Sequence, residues 1–98
     1  MRTAAVLARI QRCCRAEEYE ISFHALEELA ADGLSPEDLE CVILHGTIAT
    51  RLTDDPRGVR YELCGASLDG RRACAVCRFV LGFLRVITVY VVDMDSVQ

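Results

Sequence analysis

Residues 35–53 read Ser35-Pro36-Glu37-Asp38-Leu39-Glu40-Cys41-Val42-Ile43-Leu44-His45-Gly46-Thr47-Ile48-Ala49-Thr50-Arg51-Leu52-Thr53, and the periodicity of the chain changes inside them. Ser35 can cap a helix, Pro36 suits the first helical position because its missing N–H has no partner there, and Glu37 and Asp38 complement the helix dipole. Leu39, Val42 and Ile43 then recur at helical spacing, and Gly46 supplies the stop. Beyond Gly46 the pattern is extended, so a strand is expected over Thr47 to Thr53. Helix before and strand after is the signature of an α+β order.

Towards the N-terminus the helical period continues. Ser22 can cap a second short helix with Leu26, Leu29 and Ala30 facing inward and Gly33 ending it. From Ala4 to Arg15 the residues Val6, Leu7, Ile10, Cys13 and Cys14 form one apolar stripe, with Arg2, Arg9, Arg12 and Arg15 around the rest of the circumference. That basic face reads as solvated, with phosphate binding as the alternative. Towards the C-terminus, Asp54 to Gly58 is a turn, Val59 to Ser67 a strand, and Asp69-Gly70 a hairpin signal before Arg72 to Leu81. A last turn at Gly82 leads into Leu84 to Val92. The expectation is a single α+β domain over residues 1–98, with two to three N-terminal helices packed on a four-stranded antiparallel sheet.

The last two strands are almost continuously apolar, and helices can cover only one face of the sheet. A partner on the other face, such as a second copy forming a homodimer, is therefore expected. The stretch from Ala73 to Val92 has the length of a membrane span, about 20 residues, but Arg78, Gly82 and Arg85 interrupt it, so no membrane association is expected. Ala4 to Ala8 is too short for an export signal, which points to the cytoplasm. There the six cysteines would stay reduced and pack as small hydrophobes. Cys74-x-x-Cys77 is the one spacing that suggests metal or redox chemistry, but within a strand its two side chains point to opposite faces.

Charge is arranged more tellingly than its net value of −4. Residues 16–50 hold nine acids and no basic residue, while all eleven basic residues, every one an arginine, lie outside that block.

Ile21-Ser22-Phe23-His24-Ala25, Gly33-Leu34-Ser35 with Asp38 and Leu39, Gly46, Tyr61, Gly65, Gly70-Arg71 and Ile87-Thr88-Val89-Tyr90 together resemble the bacterial family catalogued as domain of unknown function 4258, over residues 21–90. That resemblance implies the RelE-like architecture of small toxins from toxin–antitoxin pairs. The activity it implies is metal-free, cofactor-free cleavage of RNA, with a small zinc-finger antitoxin as partner. Such cleavage needs a base for the ribose 2′-OH, a cation for the phosphorane and an acid for the leaving oxygen. The resemblance makes His24 the base, Arg71 the cation and Tyr90 an orienting or proton-donating group, with Tyr61 and Arg60 binding substrate. Glu28 and Asp32 stand where the family's helix usually carries arginines. Their presence opens an alternative, a noncatalytic protein-interaction module of the same fold.

Overall fold

The computed structural model describes residues 3–92. Its elements are α1 (Thr3–Arg15), β1 (Tyr19–Ile21), α2 (Phe23–Ala31), α3 (Pro36–His45), β2 (Thr47–Leu52), β3 (Arg60–Ala66), β4 (Arg72–Val80) and β5 (Phe83–Val91). The α+β class and all three helices agree with the sequence, and the four later strands fall within about one residue of the expected bounds. Arg2, assigned to the basic face of α1, lies outside the described residues. No helix among the described residues is long and apolar enough to cross a membrane.

The expected four-stranded antiparallel sheet is corrected to a five-stranded mixed one, in the order β1-β5-β4-β3-β2. The added strand, β1, runs parallel to β5 with Tyr19 opposite Leu84 and Ile21 opposite Val86. Three residues are too few to show a period, and a parallel partner more than sixty positions away leaves no local trace.

Where β1 ends, side chains continue its work along the outer edge of β5. The Ser22 N–H donates to the Val86 carbonyl, and the Ser22 hydroxyl donates to Ile87 O at 2.9 Å while accepting from Ala25 N at 3.0 Å. One hydroxyl thus caps α2 and extends the ladder. A turn later, Glu28 Oε1 accepts from Val89 N–H at 2.9 Å and from the Thr88 hydroxyl at 2.5 Å. With Glu28 turned to β5, the inward residues of α2 are Ala25 and Leu29; Leu26 and Ala30, expected to face inward, are exposed.

The core lies between the sheet and α1 and α3. Val6, Ile10, Cys13 and Cys14 from α1 meet Leu39, Val42 and Ile43 from α3 over Leu63, Ala73, Ala75, Cys77, Leu84, Val86 and Val89. Each fully buried Leu or Ile contributes about 2 kcal/mol. The α3 start carries a full capping box between Ser35 and Asp38. Its last turn lies directly on β3: a Cβ on Gly65 would sit 2.8 Å from Val42 O and 2.9 Å from Gly46 Cα. Only two facing glycines permit that approach.

Two further expectations are corrected. Cys64 and Cys74 are not separate apolar fillers; they face each other across β3 and β4 with Cα atoms 4.1 Å apart and are joined in a disulfide. Cys13, Cys14 and Cys77 do pack as buried thiols. The outer sheet face, expected to be apolar, carries Arg60, Glu62, Arg78, Arg85 and Tyr90, and the small residues Cys74 and Val76 are buried beneath these longer neighbours.

Candidate functional site

Strand alternation and register build the site. Arg78 lies opposite Arg85 on β5, and Arg60 lies one residue beyond the Tyr61–Cys77 pair on β3, so three arginines form a row across three adjacent strands. A register shift between Val76 and Cys77 leaves Ile87 as an extra residue on β5, beside that row. The β2–β3 loop supplies Asp55 and Arg57, and the start of α2 supplies Ser22 and His24. These eight residues line one cavity of about 300 Å³.

Like charges set directly opposite one another destabilise a sheet unless something neutralises them. Asp55 does so for most of the row. Its side chain is only 8% exposed, with Arg57 Nε at 3.1 Å, Arg78 Nη1 at 3.5 Å and Arg60 Nε at 3.7 Å. Arg57 also donates its backbone N–H to Asp55 Oδ1 at 2.9 Å. The Arg57 hydrogen bonds, with the positive field of Arg57 and Arg60, hold the Asp55 carboxyl down at about 2. Arg85 pairs with Glu20, and Arg60 reaches Asp54 at 2.7 Å.

His24 stands at the mouth, 67% exposed, with Nε2 3.3 Å from Glu28 Oε2. Glu28 is fixed by its bonds to Thr88 and Val89, so it is a stationary orienter for the ring. That contact leaves Nδ1 as the ring nitrogen turned away from the carboxylate.

Of the residues expected from sequence, the structure brings His24 and Arg60 to this cavity. Tyr61 does not join them: it faces the helices, edge-on to Phe79 at 6.3 Å between ring centroids, with Arg9 stacked 3.7 Å from the Phe79 ring centre. Arg71 lies at the far end of α2, about 12 Å along the helix from His24. There it bonds Asp69 and the carbonyls of Asp32 and Gly33 at 2.7 and 3.1 Å. It ties the β3–β4 hairpin to the end of α2. Tyr90 shares the outer face, about 10 Å along β5 from Ile87, and its hydroxyl donates to Glu62, which also accepts from Thr50 at 3.2 Å. That bond to Glu62, with partial burial, pushes the Tyr90 hydroxyl up to about 12.

Sequence reasoning missed Asp55, Arg57, Arg78 and Arg85. Two signals were present: Arg78 and Arg85 sit symmetrically about the Leu81-Gly82 turn, and Cys64 and Cys74 sit symmetrically about Asp69. Among the described residues, no three His, Cys, Asp or Glu side chains are grouped to hold a metal ion.

No curated protein and no solved structure matches the chain. The model of one family, domain of unknown function (DUF4258), matches residues 21–91, which takes in every strand but most of β1 and both helices that follow it. The chain belongs to the DUF4258 family.

Proposed function

We propose that the arginine-lined cavity binds the phosphate backbone of RNA and that the protein is a metal-free endoribonuclease of the toxin type on a RelE-like plan. The observation that carries this reading is the convergence of His24 with Arg57, Arg60, Arg78 and Arg85 on one cavity. Guanidinium forks match phosphate oxygens two at a time, so a row of them fixes a phosphodiester. His24 Nδ1 takes the proton of the ribose 2′-OH as its oxygen attacks the adjacent phosphorus. The arginines offset charge on the phosphorane, and the 5′-oxygen leaves with a proton from water at the open mouth. In this site Arg60, Arg78 and Arg85 fill the cationic role first given to Arg71.

A fluorophore-labelled RNA incubated with purified protein in excess EDTA tests the reading. Cleavage to 2′,3′-cyclic phosphate ends, lost in His24→Ala and slowed about 100-fold or more in Arg78→Ala, is expected. Intact RNA under all conditions overturns it.

A second reading, a noncatalytic interaction module, is supported by a different region. A groove of about 410 Å³ is lined by Glu17, Tyr19, Ile21 and the exposed Leu26, and Phe23, one turn before Leu26 on α2, is exposed as well. A small zinc-finger antitoxin is the partner that this reading shares with the first. Loss of a co-purifying small protein in Phe23→Ser would support it, and undiminished co-purification would count against it.

A further inference from the structure

Asp55 is under-matched to what surrounds it. One carboxylate with two oxygens faces three guanidinium groups, each with five N–H donors. Arg57 takes both oxygens at 3.1 Å. Arg60 Nε is left 3.7 Å away, buried, with no hydrogen-bond partner among the described residues. The loop that carries Asp55 makes no backbone hydrogen bond to the sheet among the described residues. Among the described residues its backbone bonds are internal, Gly58 N–H to Asp55 O at 3.1 Å and Arg57 N–H to the Asp55 side chain. Its links to the sheet are the ion pairs of Asp54 and Asp55 with Arg60 and Arg78.

We propose that Asp55 is a resident anion that occupies the place of a substrate phosphate among Arg57, Arg60 and Arg78, and that loop 53–59 swings out when a polyanion displaces it. The inference rests on the phosphate-site reading above and adds to it a gate and a substrate class. A single phosphodiester exchanges one negative charge for another and gains little. A strand with successive phosphates also competes with Glu20 for Arg85 and satisfies the buried Arg60 N–H, so the site selects polynucleotides over mononucleotides. Because the Asp55 carboxyl is held at about 2, it is ionised at neutral pH, where a competing anion rather than proton uptake opens the gate.

The test uses a labelled 2′-O-methyl decanucleotide, which has no 2′-OH to attack and so reports binding alone. Asp55→Asn keeps an oxygen for the Arg57 N–H and removes only the charge. Asp55→Ser, whose hydroxyl can accept from the same N–H, is the second variant, and folding of both is checked by circular dichroism. Binding about 10-fold tighter than wild type near 0.1 M salt is expected. The plot of log K against log salt should steepen by about 0.7, the effect of one further cation reaching the strand. Unchanged or weaker binding in whichever variant folds overturns the proposal, because it makes Asp55 a support for the arginines rather than a competitor. Cleavage of unmodified RNA is scored separately. Tighter binding of the variants without any cleavage keeps the gate and removes the ribonuclease; cleavage by wild type with no gain in the variants does the reverse.

Discussion

Replacing Glu28 with alanine should cost about 2 kcal/mol, and the structure says where that figure comes from. Glu28 Oε1 accepts from Val89 N–H at 2.9 Å and from the Thr88 hydroxyl at 2.5 Å. Charged hydrogen bonds contribute about 1.5–3 kcal/mol each, but the two losses are unequal. The Thr88 hydroxyl is half-buried and turns to water once the carboxylate is gone. Val89 is almost fully buried, so its N–H is left without a partner, at about 1–3 kcal/mol. A few tenths return because alanine favours the helix. At a urea slope of about 1 kcal/mol per molar, the unfolding midpoint should fall by roughly 2 M. Glu28→Gln keeps an acceptor oxygen for Val89 and should lose less than about 1 M. An alanine variant within about 0.5 M of wild type, or a glutamine variant as damaged as the alanine one, would refute the idea that this side chain closes the β5 edge.

Three further outcomes are expected. Gly65→Ala puts a methyl group 2.8 Å from Val42 O and 2.9 Å from Gly46 Cα, both backbone atoms, and should lower stability by about 3 kcal/mol in the same assay; a loss below about 1 kcal/mol would mean that α3 can lift off β3 freely. Burial pushes the Cys14 thiol up to about 11 and the Cys77 thiol up to about 12, so iodoacetamide at pH 8 should modify Cys41 first and spare those two, while Cys64 and Cys74 react only after reduction; peptide mass spectrometry reads all six positions. Asp55, held at about 2 in the fold against about 3.9 in an unfolded chain, contributes stability that is complete above about pH 4 and lost as the pH falls towards 2. The stability gap between wild type and Asp55→Asn should therefore shrink between pH 5 and pH 2.5, and a gap of constant size would show that the charge of Asp55 does not stabilise the fold.

Elements whose boundaries are written in local chemistry were legible in the sequence. Ser35 and Asp38 form the capping box that their spacing implies, Gly46 ends α3, and Asp69-Gly70 turns β3 into β4. What could not be read depends on pairing at a distance. β1 is strand-like only because β5 lies beside it, and the inward face of α2 is set by Glu28 reaching β5 rather than by the hydrophobic residues of α2 itself. The candidate site divides the same way. His24 and Arg60 were singled out, but the cavity also needs Arg78 and Arg85, which meet through hairpin register, and Asp55, which only the folded loop delivers. Arg71 and Tyr90 looked equally chemical in sequence. In the fold their polar groups are engaged by the end of α2 and by Glu62.

The treatment of the β5 edge also bears on how the protein behaves in a crowded solution. Val86-Ile87-Thr88-Val89-Tyr90-Val91 has no charge, no proline and strong β-propensity, the composition that stacks into fibrils when its backbone is open to other chains. β1, Ser22 and Glu28 take up backbone groups of this segment as far as the Val89 N–H, so little of its edge is left as a template for a second molecule. The new edge is β1, three residues long and accompanied by Glu17, Glu18 and Glu20, too short and too negative to recruit another strand. The acidic stretch that surrounds His24 thus also guards the most aggregation-prone strand of the protein.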